Sequence, residues 1–170
     1  LAGEHWKVKA LHDIAADPEI PDMYRQTAAR IMNLSTDVIT RKHPLRQSVG
    51  KVSELALGFA GSVAAFYSMA RAYGVDLDAL YEPVWGAATE EQREKAVKRY
   101  ESCLTRKDGA TDVLSEKAWL ACHIIVQGWR AANPAITQSW SDLEEAVREA
   151  IQNPGTVTSA ARVSYILANG

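Results

Sequence analysis

Lys51, Leu55 and Phe59 follow one another at intervals of four residues, with Gln47 one step before them. Side chains four apart on a helix lie one above the other, so this spacing stands a lone cation, an aliphatic and an aromatic in a row. An ammonium holds a phosphate as a point charge, and an aromatic face stacks a base whatever its identity. Such a row can seat a nucleotide, with its phosphate chain at Lys51 and its base at Phe59. The same spacing also suits a plainer arrangement, with Phe59 in the core and Lys51 at the solvated end of a polar face. The residue pattern leaves both open.

The element that must position this row runs from Pro44 to Phe66. After Pro44 it reads as a helix whose neighbouring face, Val49, Val52, Ala56, Ala60 and Val63, is small and apolar and suits packing against another helix. Gly58 and Gly61 flank Phe59 and loosen the helix there, at about 1 kcal/mol each relative to Ala. Arg41, Lys42, His43 and Arg46 make the tightest basic cluster in the chain, beside the helix start.

The remaining segments also read as helices. Residues 4–16 form a first one, ended by Asp17-Pro18. Pro21-Asp22 opens a second, reaching about Asn33. Leu34 to Thr40 is expected as a short helical turn capped by Ser35 or Thr36. Helix resumes after Gly61 and stops at Gly74. Asp76 to Trp85 gives a short helix, and Thr89 with Gln92 three residues on has the form of a capping box for a helix reaching Arg106. Asp108-Gly109 turns the chain. Ser115 to Ala132 and Pro134 to about Gln152 are long helices parted by Asn133-Pro134, and Val157 to Leu167 holds one or two short strands.

Composition limits the function classes. With 170 residues, 47% of them apolar, the chain can bury one sizeable core. A net charge of −2 is far from the basic balance of a stand-alone nucleic-acid-binding domain, so any such contact must come from a local patch. Cys103 and Cys122 lack paired spacing, which speaks against a zinc site or a disulfide framework and for reduced thiols. His5 and His12 are too far apart for a metal pair on one helix, and His12, Asp13 and Asp17 lack the spacing of a metal-dependent hydrolase. No apolar run approaches membrane-spanning length, and no signal peptide is visible.

The stretch PLRQSVGKVSELALGFAGSVAAF resembles the nucleotide-binding helix (motif B, the O helix of the fingers) of family A DNA polymerases. The resemblance is strongest to the bacteriophage branch, whose pattern runs R-Q-x-G-K-V-x-E-L-A-L-G-Y. It puts the triphosphate-binding lysine at Lys51. The aromatic near the insertion site and template base falls at Phe59, where Tyr is usual, and the position that influences sugar discrimination falls at Leu55. The family's arginine stands four before the lysine. Here Arg46 is five before it and Gln47 fills the four-before place, so Arg46 keeps a phosphate role only if the helix starts late or its first turn is irregular. PDMYRQTAARIMN resembles D-I-H-R-x-T-A-A, whose His touches the terminal phosphates. Tyr24 occupies that position and can donate one hydrogen bond without bringing charge. Gly61, Ser62 and Phe66 fall where the family contacts template DNA, core packing being the alternative for Phe66. GWRAANPAITQSWSDLEEAV resembles W-R-x-x-N-P-x-I-x-x-x-W, and LAGEHWKVKAL the segment after the palm strand that bears the first catalytic aspartate.

The resemblance implies a mainly α fold, a helical fingers subdomain with short β segments from the palm at its C-terminal end. Residues 1–18 would lead out of the palm. Residues 19–152 would be the fingers, with the motif B helix at about 45–59 and a branch-specific insertion at about 76–112, and residues 153–170 would return toward the palm. It further implies a piece of a longer DNA-directed DNA polymerase of a phage or prophage, acting in the bacterial cytoplasm, with dNTP, primer–template DNA and the parent's own palm and thumb as partners. No catalytic residue and no cofactor is expected on this chain. In the complete enzyme Mg²⁺ would sit on palm carboxylates elsewhere, so the piece alone is not expected to polymerise. The rival expectation is a non-enzymatic helical module that binds a partner through its Phe59–Phe66 surface.

Overall fold

The computed structural model describes residues 3–106 and 109–168. Leu1 and Asp108, which bear on the chain opening and the turn read above, lie outside the described residues. The chain is mainly helical and ends in a two-stranded antiparallel sheet, as the fold class read from the residues requires.

The helices are α1 (His5–Ala16), α2 (Met23–Ile31), α3 (Val52–Leu57), α4 (Val63–Ala72), α5 (Tyr81–Ala87), α6 (Glu90–Arg106), α7 (Gly109–Val113), α8 (Glu116–Ala132) and α9 (Pro134–Gln152), with a π-helical turn at Arg46–Lys51. Strands β1 (Thr158–Ala160) and β2 (Val163–Tyr165) pair with Thr158 opposite Tyr165 and Ala160 opposite Val163.

Local chemistry accounts for the boundaries. Asp22 caps α2 by accepting from the Tyr24 and Arg25 amides. The capping box before α6 is complete: the Gln92 amide donates to Thr89 Oγ1 at 3.2 Å, and the Thr89 amide to Gln92 Oε1 at 2.8 Å. Ser115 caps α8, Pro134 starts α9, and Gly74, at φ +64°, ends the run through α4.

Two segments depart from expectation. Leu34 to Thr40 contains no helix: Arg25 donates to the Thr36 and Ile39 carbonyls and holds the segment as turns, with Ile39 fully buried. The helix expected from Asp76 begins only at Tyr81, because Asp76 Oδ1 accepts from the Ala79 amide and ties the preceding residues into a turn.

The core forms around α8. Trp119, Cys122, Ile125, Val126 and Trp129 are all buried, so this helix is apolar on nearly every side, as a central helix must be. It packs against α2, α3, α4, α5, α6, α7 and α9. Trp129 stacks on Trp140 of α9 with ring centroids 5.9 Å apart, which makes both rings packing elements. No helix among the described residues is long and apolar enough to cross a membrane.

Candidate functional site

The segment carrying Lys51 starts as a widened turn. The Val52 amide bonds back to the Gln47 carbonyl, five residues earlier, where an α-helix would bond four back. An α-helix advances ~100° per residue, so positions five apart face well away from each other. Bonding five back takes up one extra residue. Arg46, five before Lys51, stands at the start of this irregular first turn.

Close packing holds the turn. A Cβ on Gly50 would lie 2.0 Å from the Tyr24 carbonyl oxygen, so only glycine lets α2 approach this far. The approach sets Tyr24 beside Arg46, whose guanidinium lies 5.4 Å from the phenol ring centroid. Arg46 Nε also donates to both oxygens of Asp22, at 3.0 and 3.2 Å. The Lys51 ammonium lies 4.5 Å from the Tyr73 ring centroid, and no carboxylate pairs with it among the described residues. Arg41, Lys42, His43, Arg46, Gln47 and Tyr73 all line one cleft of about 490 Å³. The basic cluster, Gln47 and the ring under Lys51 thus share one cleft, which Lys51, Leu55, Phe59 and Tyr24 do not line.

Past Lys51 the helix is shorter than its pattern suggests. It ends at Leu57, and Phe59 sits in the turn that follows, correcting the expected helix to residue 59. Ala60 takes a left-handed φ of +57°. A Cβ on Gly61 would lie 2.0 Å from the Ala56 carbonyl oxygen, so the chain doubles back against the end of α3 where only glycine fits. Arg130 Nη2 pins this turn by donating to the Gly61 carbonyl at 3.1 Å. Phe59 is left 96% exposed and Leu55 41% exposed. Lys51 is half-buried and Gln47 exposed, so the row looks outward although it does not follow one straight helix.

Other candidate residues are placed differently. Phe66 is 0% exposed in the core, which corrects its reading as a template-contacting ring. It lies one turn into α4 on the side facing the core. Tyr67 beside it is half-buried, Gly61 is partly exposed and Ser62 exposed.

The opposite side of α3 holds a residue that the pattern did not single out. Glu54 accepts from Lys7 Nζ at 2.9 and 2.7 Å, from Thr27 Oγ1 at 2.8 Å and from Trp129 Nε1 at 3.0 Å. One carboxylate thus joins α1, α2, α3 and α8. The Lys7 ammonium lies 4.8 Å from the Trp129 ring centroid, so the pair is walled by an aromatic face. Its legible signal was only an acid three residues past Lys51 and next in sequence to Leu55.

Among the described residues no group of three His, Cys, Asp or Glu side chains could hold a metal ion. Cys103 and Cys122 are free and buried. Burial, and then the charge of Asp78, pushes the Cys122 thiol up to about 12, which keeps it a packing residue and not a nucleophile.

Over its full 170 residues the chain is 25% identical to a DNA polymerase of Bacillus phage SP02, and it spans 19% of that protein's length. No family model and no solved structure matches it.

Proposed function

We propose that this chain is the fingers part of a DNA-directed DNA polymerase of the family A type, and that the outward side of the Arg46–Phe59 segment receives the incoming dNTP. The observation that carries the reading is the 96% exposure of Phe59, beyond a cationic turn and next to a half-exposed Leu55. A single exposed ring is ordinary on a protein surface; what supports the reading is its place beyond a cationic turn, since base stacking needs a free aromatic face.

On this reading Lys51 neutralises the triphosphate, with Arg46 as second cation. Gln47 and Tyr24 donate hydrogen bonds near the phosphates, Leu55 borders the sugar, and Phe59 walls the base. Gly61 and Ser62 border the template. The π-turn supports the assignment of Arg46, because it compensates for the one-residue excess between arginine and lysine. The 25% identity to a phage DNA polymerase supports the reaction class.

Among the described residues no group of acids suits the Mg²⁺ ions that such an enzyme uses, and Asp22 and Glu54 are held by Arg46 and Lys7. The chain's own contribution is positioning and charge neutralisation of the substrate. Residues 19–152 act as the fingers, with residues 76–112 as an insertion, while residues 1–18 and 153–170 lead to and from a palm that carries the reactive carboxylates. Primer–template DNA and that palm and thumb are the partners.

In the longer polymerase containing this stretch, Lys51→Ala is expected to lower kcat/KM for a dNTP by about a hundredfold. Leu55→Tyr should mainly alter tolerance of chain-terminating sugars. Single-nucleotide incorporation kinetics measure both, and an unchanged kcat/KM for Lys51→Ala removes Lys51 from the site.

A further inference from the structure

We propose that the cleft between the start of α4, α6 and α8 binds a phosphate group through Arg99, Arg130 and Lys95. This cleft, about 620 Å³, is lined by those three cations and, among the described residues, by no aspartate or glutamate, in a chain whose acids outnumber its bases by 21 to 19. Lys95 pairs with Glu91 on its solvent side, and Arg99 has no carboxylate partner among the described residues.

Two donors at the cleft wall lack a partner. The Nε–H of Arg130 and the indole N–H of Trp119 are buried without a hydrogen bond, and Trp119 is only 2% exposed. Buried polar groups are nearly always paired, so two unsatisfied donors beside excess positive charge mark a place for an acceptor that carries negative charge. The start of α4 adds to this. Ser62 lines the cleft and makes no side-chain cap, which leaves the first-turn amides of α4 open. His123 stacks on Trp119 with centroids 5.0 Å apart. Burial, then the charges of Arg99 and Arg130, holds its imidazole down to about 4, so at neutral pH it is neutral and able to accept as well as donate.

The ligand chemistry is a phosphate oxyanion, either a diester of a single nucleic-acid strand or a free phosphate. The inference goes beyond the nucleotide reading and does not depend on it: neither Lys51 nor Phe59 lines this cleft, although Ser62, which borders the template on that reading, does.

The test is an NMR titration of the ¹⁵N-labelled 170-residue chain, at low salt, with inorganic phosphate and separately with a short single-stranded oligodeoxynucleotide. The Trp119 indole N–H, assigned through Trp119→Phe, is the reporter. Either ligand is expected to shift it. Arg99→Ala, at an exposed position, should weaken binding about tenfold and Arg99→Glu more, while Lys98→Ala on the same helix changes it less than about twofold. A shift with the oligonucleotide alone assigns the source to a strand, and a shift with phosphate as well extends it to free anions. Lys51→Ala should leave the binding unchanged, which separates this site from the nucleotide face. A Trp119 resonance that neither ligand moves, or equal losses from Arg99→Ala and Lys98→Ala, overturns the proposal.

Discussion

Phe59 and Phe66 are the two phenylalanines of this chain, seven positions apart, and the fold treats them in opposite ways. Phe66 is 0% exposed and Phe59 96% exposed. Between them the chain passes the left-handed Ala60 and the tight Gly61. A continuous helix would have carried both rings on one rigid rod. The break instead lets α4 turn Phe66 into the core while Phe59 stays at the tip of a turn. The same division runs through α3, where Glu54 is enclosed by Lys7, Thr27 and Trp129 and Leu55 beside it faces water. Adjacent residues are thus committed to cohesion on one side and to contact on the other, and the two roles should separate in measurement.

The sharpest way to break the contrast is to empty the core position. Phe66→Ala is expected to cost about 3–5 kcal/mol in a urea melt followed by circular dichroism, and a cost below about 1 kcal/mol would mean that the ring is not packed as described. Glu54→Ala should come next, at about 3 kcal/mol, because it leaves the Lys7 ammonium enclosed without a counter-charge. Combining it with Lys7→Met is expected to recover part of the loss, and purely additive losses would deny the pair its coupling.

Acid should act on the inward side as well. The folded-state pKa of His123 is about 4, below the usual value of 6.5. The unfolded chain therefore takes up the proton first as pH falls. The stability tied to neutral His123 is full above pH 6.5 and is lost between there and pH 4, by on the order of 1–3 kcal/mol. Urea midpoints across that range measure it, and His123→Gln should flatten the slope. The smallest effect belongs to the exposed ring: Phe59→Ala is expected to change stability by no more than about 0.5 kcal/mol, while the proposed function predicts lower dNTP incorporation by a polymerase carrying this change. A large loss of stability from Phe59→Ala would erase the contrast.

Much of this was legible in the residues, where a local cause decides the outcome. The capping box at Thr89 and Gln92 formed as read, and the helices read as starting at Pro21-Asp22, Ser115 and Pro134 start there to within two residues, because each start depends on a few neighbouring atoms. The π-turn was not legible, since its cause is distant: α2 presses on Gly50, and the ladder widens to accommodate one residue too many. Glu54 was missed for a related reason. Its partners come from three other elements, and four-residue spacing reports only on its own helix. The segment from Leu34 to Thr40 misled because Arg25, far back in the chain, takes the carbonyls that a helix would have used.

The N-terminus of α9 is completed from far away. Glu4 Oε2 accepts from the Ala135 and Ile136 amides at 3.0 and 3.3 Å, and Trp6 Nε1 donates to the Ala132 carbonyl at 2.7 Å. During synthesis this corner joins residues made well apart, since Glu4 and Trp6 precede their α9-side partners by 126 to 132 positions. At about 5–20 residues per second, the first helix waits on the order of ten seconds before its corner exists. Until then α1 has its contacts with α2 and the Lys7–Glu54 pair to hold it.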